Sequence, residues 1–529
     1  MNAGPSRSGN RSLIHDYLPW GLLGLFALAS FSFKMGSYPL TDHDEALYSQ
    51  VARELLGHKD WWTLYYHNQP WFIHAPLGMW AQAVIFKLFG SSELTARLHS
   101  VIFATALVIL TAAFGRFIFG KKAGFTAGLV LVTAPLYFAI ARMALLDMPL
   151  VFFMTLAIFM FLLAWRKQDS RYYIGFWLAA GFATLDKGLW GLALPSAIVL
   201  LYAITDKERK RLLDPWLYVS MLAWFAVVSP WFIIETHRHG KDFLEPMLIT
   251  NTVARLNTAV CNHTGPWYYY LPILLVGLFP WIILWPQAFF KNRGDNSRLL
   301  LIWILVPLIL HSSATTKLPN YMMPLFPAFA MLLGVCAAEA KRRDVQGLIM
   351  VSLGIGIGAA VVWQLKAHSL SYTDLAAINP WTVGITAGLA YVIAGVALLR
   401  DADHGPSVMA LMLALGLLLI PSCYSVSYHG VAPKDAALAA RRIAGDGPVL
   451  TVSGIDCEYG LYWYSRDPFI VSGDLEGIRG ILAKQKGDYG LIVPPDQVSN
   501  LKRLGVTLQV MYNKGNWVVG TAQIRDPKE

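Results

Sequence analysis

Two separated acidic motifs are the strongest candidates for chemistry in this sequence. Residues 41–45 (TDHDE) follow the first apolar block, and Asp147 opens a later one. Asp42 and Glu45 fit a helix capping box and Asp147 fits an N-cap, so structural roles for these acids remain open. Capping does not require a third acid, so it does not explain Asp44. Catalytic carboxylates at Asp44, Glu45 and Asp147 would suit a transferase beside a membrane, accepting a proton or binding sugar hydroxyls.

Single cations and a phenol accompany these acids, a combination that suits a phosphate ligand. Lys317 and Tyr321 share a tight, proline-containing turn, while Lys187 ends an apolar block, where an interfacial snorkelling lysine is the alternative. A polyprenyl-linked sugar would bury its tail in lipid and present its phosphate to cations and its sugar to acids. The candidate phosphate- or substrate-binding residues are His74, Lys187, Arg255, His263, Lys317 and Tyr321.

The sequence predicts neither a nucleotide site nor a resident metal. It lacks the GxxxxGK phosphate loop, and an enzyme of the outer face has no ready supply of nucleotide sugars. His74 and His263 lack the short fixed spacing to other ligands that marks a metal site. A divalent cation with no assigned ligands therefore stays open as an alternative. The four cysteines show no CxxC spacing and indicate neither zinc nor a disulfide framework.

The composition identifies an α-helical polytopic membrane protein. Of 529 residues, 56% are hydrophobic and 14% are charged, compared with roughly a quarter charged in soluble proteins. Blocks of about 18–25 apolar residues can each cross the bilayer as a helix. We expect about thirteen transmembrane helices, starting near Tyr17, Leu94, Ala123, Met148, Tyr172, Gly188, Pro215, Trp267, Leu299, Tyr321, Gln346, Pro380 and Pro406.

The distribution of basic residues predicts the orientation. The formal net charge of +10 arises mostly from short Lys and Arg clusters between apolar blocks, which argues against a nucleic-acid partner. If successive spans cross the bilayer in alternate directions, these clusters lie on the same side as the N-terminus. The positive-inside rule makes that side cytoplasmic. An odd number of spans leaves the C-terminal segment and the acidic motifs on the outer side.

Two regions outside the spans have their own expected structure. The first outer loop, residues 36–93, contains two interfacial helices, one after Asp42 and one over Pro76–Phe89. From about residue 431 short strands and helices alternate, so we expect a transmembrane domain over 1–430 and a small soluble α/β domain over 431–529.

Seven motifs together carry a family resemblance: residues 44–48 (DEALY), 52–55 (AREL), 76–80 (PLGMW), 142–147 (RMALLD), 186–188 (DKG), 266–268 (PWY) and 317–324 (KLPNYMMP). The chain resembles the bacterial GT-C glycosyltransferases of the protein O-mannosyltransferase superfamily, most closely the 4-amino-4-deoxy-L-arabinose lipid A transferases. The likeness runs from the first span to about Ala338.

The resemblance implies an inner-membrane enzyme that moves a sugar from undecaprenyl phosphate to lipid A or another envelope acceptor at the periplasmic face, with inversion. Asp44 and Asp147 match the family's two acids. His263 matches a histidine of the long outer loop near a bound cation. The positions that match residues near the carrier phosphate and cavity are Lys187, Arg255, Lys317 and Tyr321.

One departure keeps the sugar open. The aminoarabinose transferases usually read FEKPPLG where this chain has FIHAPLG at residues 72–78, so Ile73 and His74 replace an acid and a lysine. A hexose, a uronic acid or another pentose then competes with aminoarabinose. A polyprenyl-phosphate-mannose-type protein O-mannosyltransferase is the alternative enzyme, and a lipid flippase or transporter is the alternative outside enzymes.

Overall fold

Apolar blocks of the sequence form long helices in the computed structural model. Among the described residues, five helical stretches are long and apolar enough to cross a bilayer: Glu93–Phe119, Asp147–Lys167, Pro215–His239, Asp295–Ser313 and Pro319–Glu339. With these, the chain is a multi-pass membrane protein. The structure describes residues 8–41, 43–254, 264–286, 294–339, 347–356, 380–400, 433–453, 458–484, 489–514 and 516–524, with single positions at 359, 410–411 and 413–414.

The block predicted to start near Ala123 is bent rather than straight. Lys121–Thr133 and Pro135–Ala141 meet at an angle of 67°. Neither helix is long enough to cross a bilayer by itself, but the two together can form one bent span. Proline disfavours helical geometry in the residue before it, and Ala134 accordingly has an extended backbone. Other predicted spans appear as shorter helices or extend beyond the described residues, so the total of thirteen stays a prediction.

The described helices before residue 430 are numbered in chain order. Short 3-10 helices occur at Arg209–Leu213, Trp281–Leu284 and Pro319–Leu325, and Glu245–Ala254 is a π-helix. The α-helices are α1 (Ser8–Ser32), α2 (Asp44–Gly57), α3 (Leu77–Phe89), α4 (Glu93–Phe119), α5 (Lys121–Thr133), α6 (Pro135–Ala141), α7 (Asp147–Lys167), α8 (Tyr172–Lys187), α9 (Trp190–Thr205), α10 (Pro215–Val219), α11 (Leu222–His239), α12 (Lys241–Leu244), α13 (Tyr270–Gly277), α14 (Asp295–Ser313), α15 (Phe326–Glu339) and α16 (Pro380–Arg400).

Small residues let α4, α5 and α15 approach closely in the membrane core. A Cβ on Gly124 of α5 would lie 2.4 Å from the carbonyl oxygen of Ala112 on α4. A Cβ on Gly334 of α15 would lie 2.7 Å from the backbone nitrogen of Ala127 on α5. Close backbone approach through small residues is a general means of helix association in lipid. These contacts form the buried framework beneath the first outer loop.

The first outer loop folds as the sequence predicts. Leu47, Val51 and Leu55 on α2 are buried, as their helical spacing requires. α3 has 13 residues, too few to cross a bilayer. Between the two helices lies a hairpin of β1 (Tyr65–Tyr66) and β2 (Gln69–Pro70).

A buried ion pair joins this loop to the membrane core. The side chains of Glu45 on α2 and Arg97 on α4 are both 0% exposed, and Arg97 Nε donates to Glu45 Oε1 at 2.6 Å. Arg97 also donates to the carbonyl oxygens of Met35, Tyr38 and Pro39 in the segment after α1. One guanidinium therefore fixes the exit from α1 and the entry to α2.

Residues 433–524, here called the C-terminal sheet region, contain a five-stranded mixed sheet. Its strand order is β4-β3-β5-β7-β6, with β3 parallel to β4 and β5, and β7 antiparallel to β5 and β6. The elements are α17 (Pro433–Ala444), β3 (Val449–Val452), α18 (Glu458–Ser465), β4 (Phe469–Ser472), α19 (Leu475–Lys484), β5 (Gly490–Val493), α20 (Val498–Arg503), β6 (Val506–Lys514) and β7 (Trp517–Ile524), with a 3-10 turn at Pro495–Gln497.

The buried pair gives a stability prediction. We expect Glu45→Gln to lower the free energy of unfolding by about 3–5 kcal/mol, because it leaves the Arg97 charge buried without its counter-ion. Thermal unfolding of the detergent-solubilised protein measures the effect. Asp169→Asn is the matched control, since Asp169 pairs with Arg171 at an exposed position. Equal melting temperatures for the Glu45 variant and the wild type would contradict this role.

Candidate active site

Asp44 offers an accessible carboxylate at the start of α2. Its side chain is 39% exposed, and it lies in the first helical turn, where the helix dipole favours negative charge. Burial alone would raise the pKa of Asp44, but the neighbouring His43, whose Nδ1 lies 3.8 Å from Asp44 Oδ1, together with the charges of Lys187 and His74, lowers the pKa below its usual value. Asp44 is therefore ionised near neutral pH and able to accept a proton.

Asp147 holds a lysine beside this carboxylate. Asp147 is the first residue of α7, after Leu146 at the N-cap position; Lys187 Nζ donates to its Oδ1 at 3.0 Å and Asn320 Nδ2 donates to its Oδ2 at 3.1 Å. The Asp147 and Lys187 side chains are 5% and 15% exposed, so water screens the pair weakly. Both oxygens of Asp147 are engaged, which distinguishes it from Asp44.

Lys187 reaches this position because α8 ends there. Gly188 follows it with a φ of +67°, a left-handed backbone that favours glycine and turns the chain away after the lysine. Lys187 also acts electrostatically on Asp44 and Tyr321, so one ammonium group lies within electrostatic range of acids from α2 and α7 and of a phenol from the turn before α15. Its side chain is 15% exposed and ion-paired with Asp147, unlike an interfacial snorkelling lysine, which extends its ammonium into water.

Tyr321 and His74 each pack against a further side chain. The Tyr321 ring packs against His311, with ring centroids 5.3 Å apart. His74 Nε2 lies 3.1 Å from the Tyr48 hydroxyl, and Tyr48 is one helical turn beyond Asp44 on α2. The imidazole of His74 can hold a phosphate oxygen when it is protonated.

Glu45 and Lys317 occupy different surroundings from those expected of reactive groups. Glu45 has no exposed face: besides Arg97 it accepts from the backbone nitrogens of Thr41 and Ala144, and with these contacts its pKa is lowered despite burial. The Lys317 residue is 5% exposed, and its Nζ donates to the carbonyl oxygens of Ser312 and Ala314 at the end of α14. These contacts organise the site's framework.

Two of the expected binding residues, Arg255 and His263, lie outside the described residues. Within the described ranges, no three His, Cys, Asp or Glu side chains converge as metal ligands. The geometry available for chemistry thus consists of a carboxylate, a held cation and polar side chains that can contact a phosphate.

Sequence reasoning missed the partners of the expected residues. Asn320 contacts Asp147, which lies 173 positions away, whereas His311 packs against Tyr321, which lies nearby in the sequence. Asn320 carried a signal, since it stands in the same turn as Lys317 and Tyr321. Arg97 carried none, because an arginine near the start of an apolar helix usually indicates an interfacial side chain.

Comparison with known proteins gives sequence relatives for most of the chain. The family model described as dolichyl-phosphate-mannose-protein mannosyltransferase matches residues 73–234. The undecaprenyl phosphate-alpha-4-amino-4-deoxy-L-arabinose arabinosyl transferase of Edwardsiella ictaluri is 28% identical over 374 residues, covering 66% of this chain and 67% of the relative. The corresponding enzyme of Erwinia tasmaniensis is 27% identical over 420 residues, 75% of each chain.

The fold has a solved counterpart. The crystal structure of ArnT from Cupriavidus metallidurans bound to undecaprenyl phosphate matches 96% of this chain and 98% of its own, with a TM-score of 0.78 and 23% sequence identity. The match shows a shared fold that includes the helical core and the region after it. The resemblance of this chain to GT-C glycosyltransferases of the protein O-mannosyltransferase superfamily, and among them to the aminoarabinose transferases, is thereby confirmed.

Proposed function

We propose that this protein is a glycosyltransferase that moves a sugar from undecaprenyl phosphate to lipid A or a related envelope glycolipid. The observation that carries the proposal is the accessible Asp44 carboxylate facing Lys187, which Asp147 holds in place. The names of the sequence relatives and the fold shared with ArnT support the same donor class. Bacterial inner membrane is the corresponding location.

The proposed reaction is a single displacement with inversion. An acceptor oxygen attacks the anomeric carbon of the sugar, and the bond from that carbon to the carrier phosphate oxygen breaks. Where the acceptor oxygen carries a proton, Asp44 takes it, since its lowered pKa keeps it ionised. The leaving phosphate retains the bonding electrons, and Lys187 stabilises its negative charge.

The remaining site residues divide into binding and positioning groups. We assign Tyr321 and His74 to the carrier phosphate or sugar, together with Arg255 and His263 from the long outer loop. Glu45 and Lys317 are assigned to positioning, because their polar atoms already bind the framework. The displacement as written uses no cofactor. Metal-depletion assays test whether the enzyme requires a divalent cation.

A second candidate is a protein O-mannosyltransferase that uses a polyprenyl-phosphate sugar. It is favoured by the match of residues 73–234 to the mannosyltransferase model and by Ile73 and His74, which depart from the aminoarabinose pattern. Both candidates require the same carboxylate and cation, so the acceptor distinguishes them.

The first prediction concerns the two acids. Asp44→Asn should lower the transfer rate by about 10²–10⁴-fold, because the reaction loses its proton acceptor. Asp147→Asn should impair transfer as well, because Lys187 loses its counter-ion. Rates are measured with purified protein and polyprenyl-linked sugar. Asp60→Asn is the control: this outer-loop acid pairs with Arg238 and should leave the rate unchanged. Wild-type rates for both Asp44 and Asp147 variants would refute the site.

The second prediction concerns Lys187. Lys187→Ala should weaken binding of the undecaprenyl-phosphate donor about 10- to 100-fold, the effect of losing one charge-assisted contact to a phosphate. Donor titration with the detergent-solubilised protein measures this change. Lys167→Ala, at the other end of α7 from Asp147, is the control. Unchanged donor affinity in the Lys187 variant would remove this lysine from the binding site.

The acceptor can be identified in cells. Mass spectrometry of lipid A with and without the gene should show a fixed mass difference equal to one sugar residue, which also identifies that sugar. Unchanged lipid A with a mass difference on periplasmic proteins would favour the second candidate.

We also propose the finer topology: about thirteen spans over residues 1–430, a cytoplasmic N-terminus, and a periplasmic α/β domain over residues 431–529. Alkaline phosphatase is active only outside the cytoplasm, so a C-terminal fusion should be active. A cytoplasmic reporter such as β-galactosidase should be inactive at the same junction. The opposite pair of results would require an even number of spans.

A further inference from the structure

The C-terminal sheet region contacts the segment that carries Asp44. The Tyr464 hydroxyl accepts a hydrogen bond from the backbone nitrogen of Leu40 at 2.8 Å, four residues before Asp44. On the far end of α2, Arg53 Nη1 donates to the carbonyl oxygen of Trp463 at 2.8 Å, and the Tyr462 hydroxyl donates to Glu54 Oε1 at 3.0 Å. Helix α18 therefore supports both ends of α2.

A third contact reaches the residue beside the catalytic acid. The ring of His43 packs against that of Tyr459 on α18, with centroids 5.2 Å apart. Tyr459 also contacts Tyr66 of the first outer loop at 5.8 Å, so its ring lies between two parts of that loop. The catalytic mechanism proposed above does not use Tyr459.

His43 has a costly backbone conformation. Its φ of +71° and ψ of −118° lie outside the regions that residues with a Cβ normally occupy. Such a conformation costs of order 1–3 kcal/mol and persists only where the surroundings impose it. Here the imposed conformation brings His43 Nδ1 to 3.8 Å from Asp44 Oδ1. The ring of Tyr459 is part of those surroundings.

We propose that the C-terminal sheet region forms part of the catalytic apparatus, with Tyr459 as a positioning residue that sets the orientation of His43 and, through it, of Asp44. The inference rests on the proposed function of Asp44 as proton acceptor. Among the described residues, the charged and titratable groups that act on Asp44 include His43 from its own segment, His74 from the first outer loop and Lys187 from α8. Of these three, His43 is the one whose ring packs against Tyr459 of α18.

The sign of the expected pH effect follows from these groups. His43 helps to lower the pKa of Asp44, so loss of its proper orientation raises that pKa towards its ordinary value. Asp44 must be ionised to accept a proton, and the acid limb of the activity profile then moves to higher pH. The displacement should be up to about one pH unit, the ordinary range of such perturbations.

The test compares Tyr459→Ala with Tyr459→Phe. The alanine variant should lower kcat about 10- to 100-fold, as expected for a misplaced catalytic group, with little change in the KM for donor. The phenylalanine variant keeps the ring and should restore both kcat and the pH profile. Met511→Ala is the control, because Met511 lies on β6 of the same region and is 65% exposed. A purely structural role would instead change the melting temperature and spare the pH profile.

A double-mutant cycle tests the route through His43. Tyr459→Ala should have little further effect in a His43→Ala background, because the residue it orients is already absent. Additive losses of activity in the double variant would overturn the proposed route.

A second readout does not depend on turnover. Carbodiimide labels protonated carboxyl groups, so mass spectrometry of labelled Asp44 against pH reports the protonation of that residue. Labelling should persist to higher pH in Tyr459→Ala than in wild type. An unchanged labelling profile would overturn the inference, whereas a shifted profile in a protein that lacks transfer activity would support the inference and contradict the proposed function.

Discussion

The buried pair of Arg97 and Glu45 organises the part of this protein that carries Asp44 and Asp147. Arg97 comes from the second turn of α4, and Glu45 stands directly after Asp44. Glu45 Oε1 also accepts from the backbone nitrogen of Ala144, three residues before Asp147. A single carboxylate thereby connects the segments that present both acids. In a low-dielectric interior such a pair is costly to break, so its geometry is strongly specified.

The two active-site acids then acquire different roles from their surroundings. Asp147 is enclosed and saturated by Lys187 and Asn320, and it orients a cation. Asp44 is partly exposed at a helix N-terminus, and the charges around it favour its ionised form. The proposed reaction uses the charge of Lys187 for the leaving phosphate and the ionised Asp44 for the acceptor proton. Under the proposed function, differences in burial and partners thus give two identical side chains different roles.

Local pattern was sufficient to predict α2, α3 and the principal apolar helices, and it selected Asp44 and Asp147 as candidate acids. It could not predict contacts between distant residues: Arg97 lies 52 positions from Glu45, and Asn320 lies 173 from Asp147. Capping was a reasonable interpretation of Glu45, because its spacing from the helix start is correct and its partner is invisible to local rules. Pro135 is a local cause of the bend, but the uninterrupted apolar composition of this block predicted one straight span.

The departure at Ile73 and His74 changes the charge available beside Asp44. A lysine offers a permanent charge, whereas His74 offers one only when protonated, and it is already in contact with Tyr48. A protonated His74 contributes to the lowered pKa of Asp44, whereas the hydrogen bond from Lys187 to Asp147 does not involve His74. In the proposed reaction the departure therefore bears on phosphate recognition and on the ionisation of Asp44, and it leaves the Lys187 contact in place.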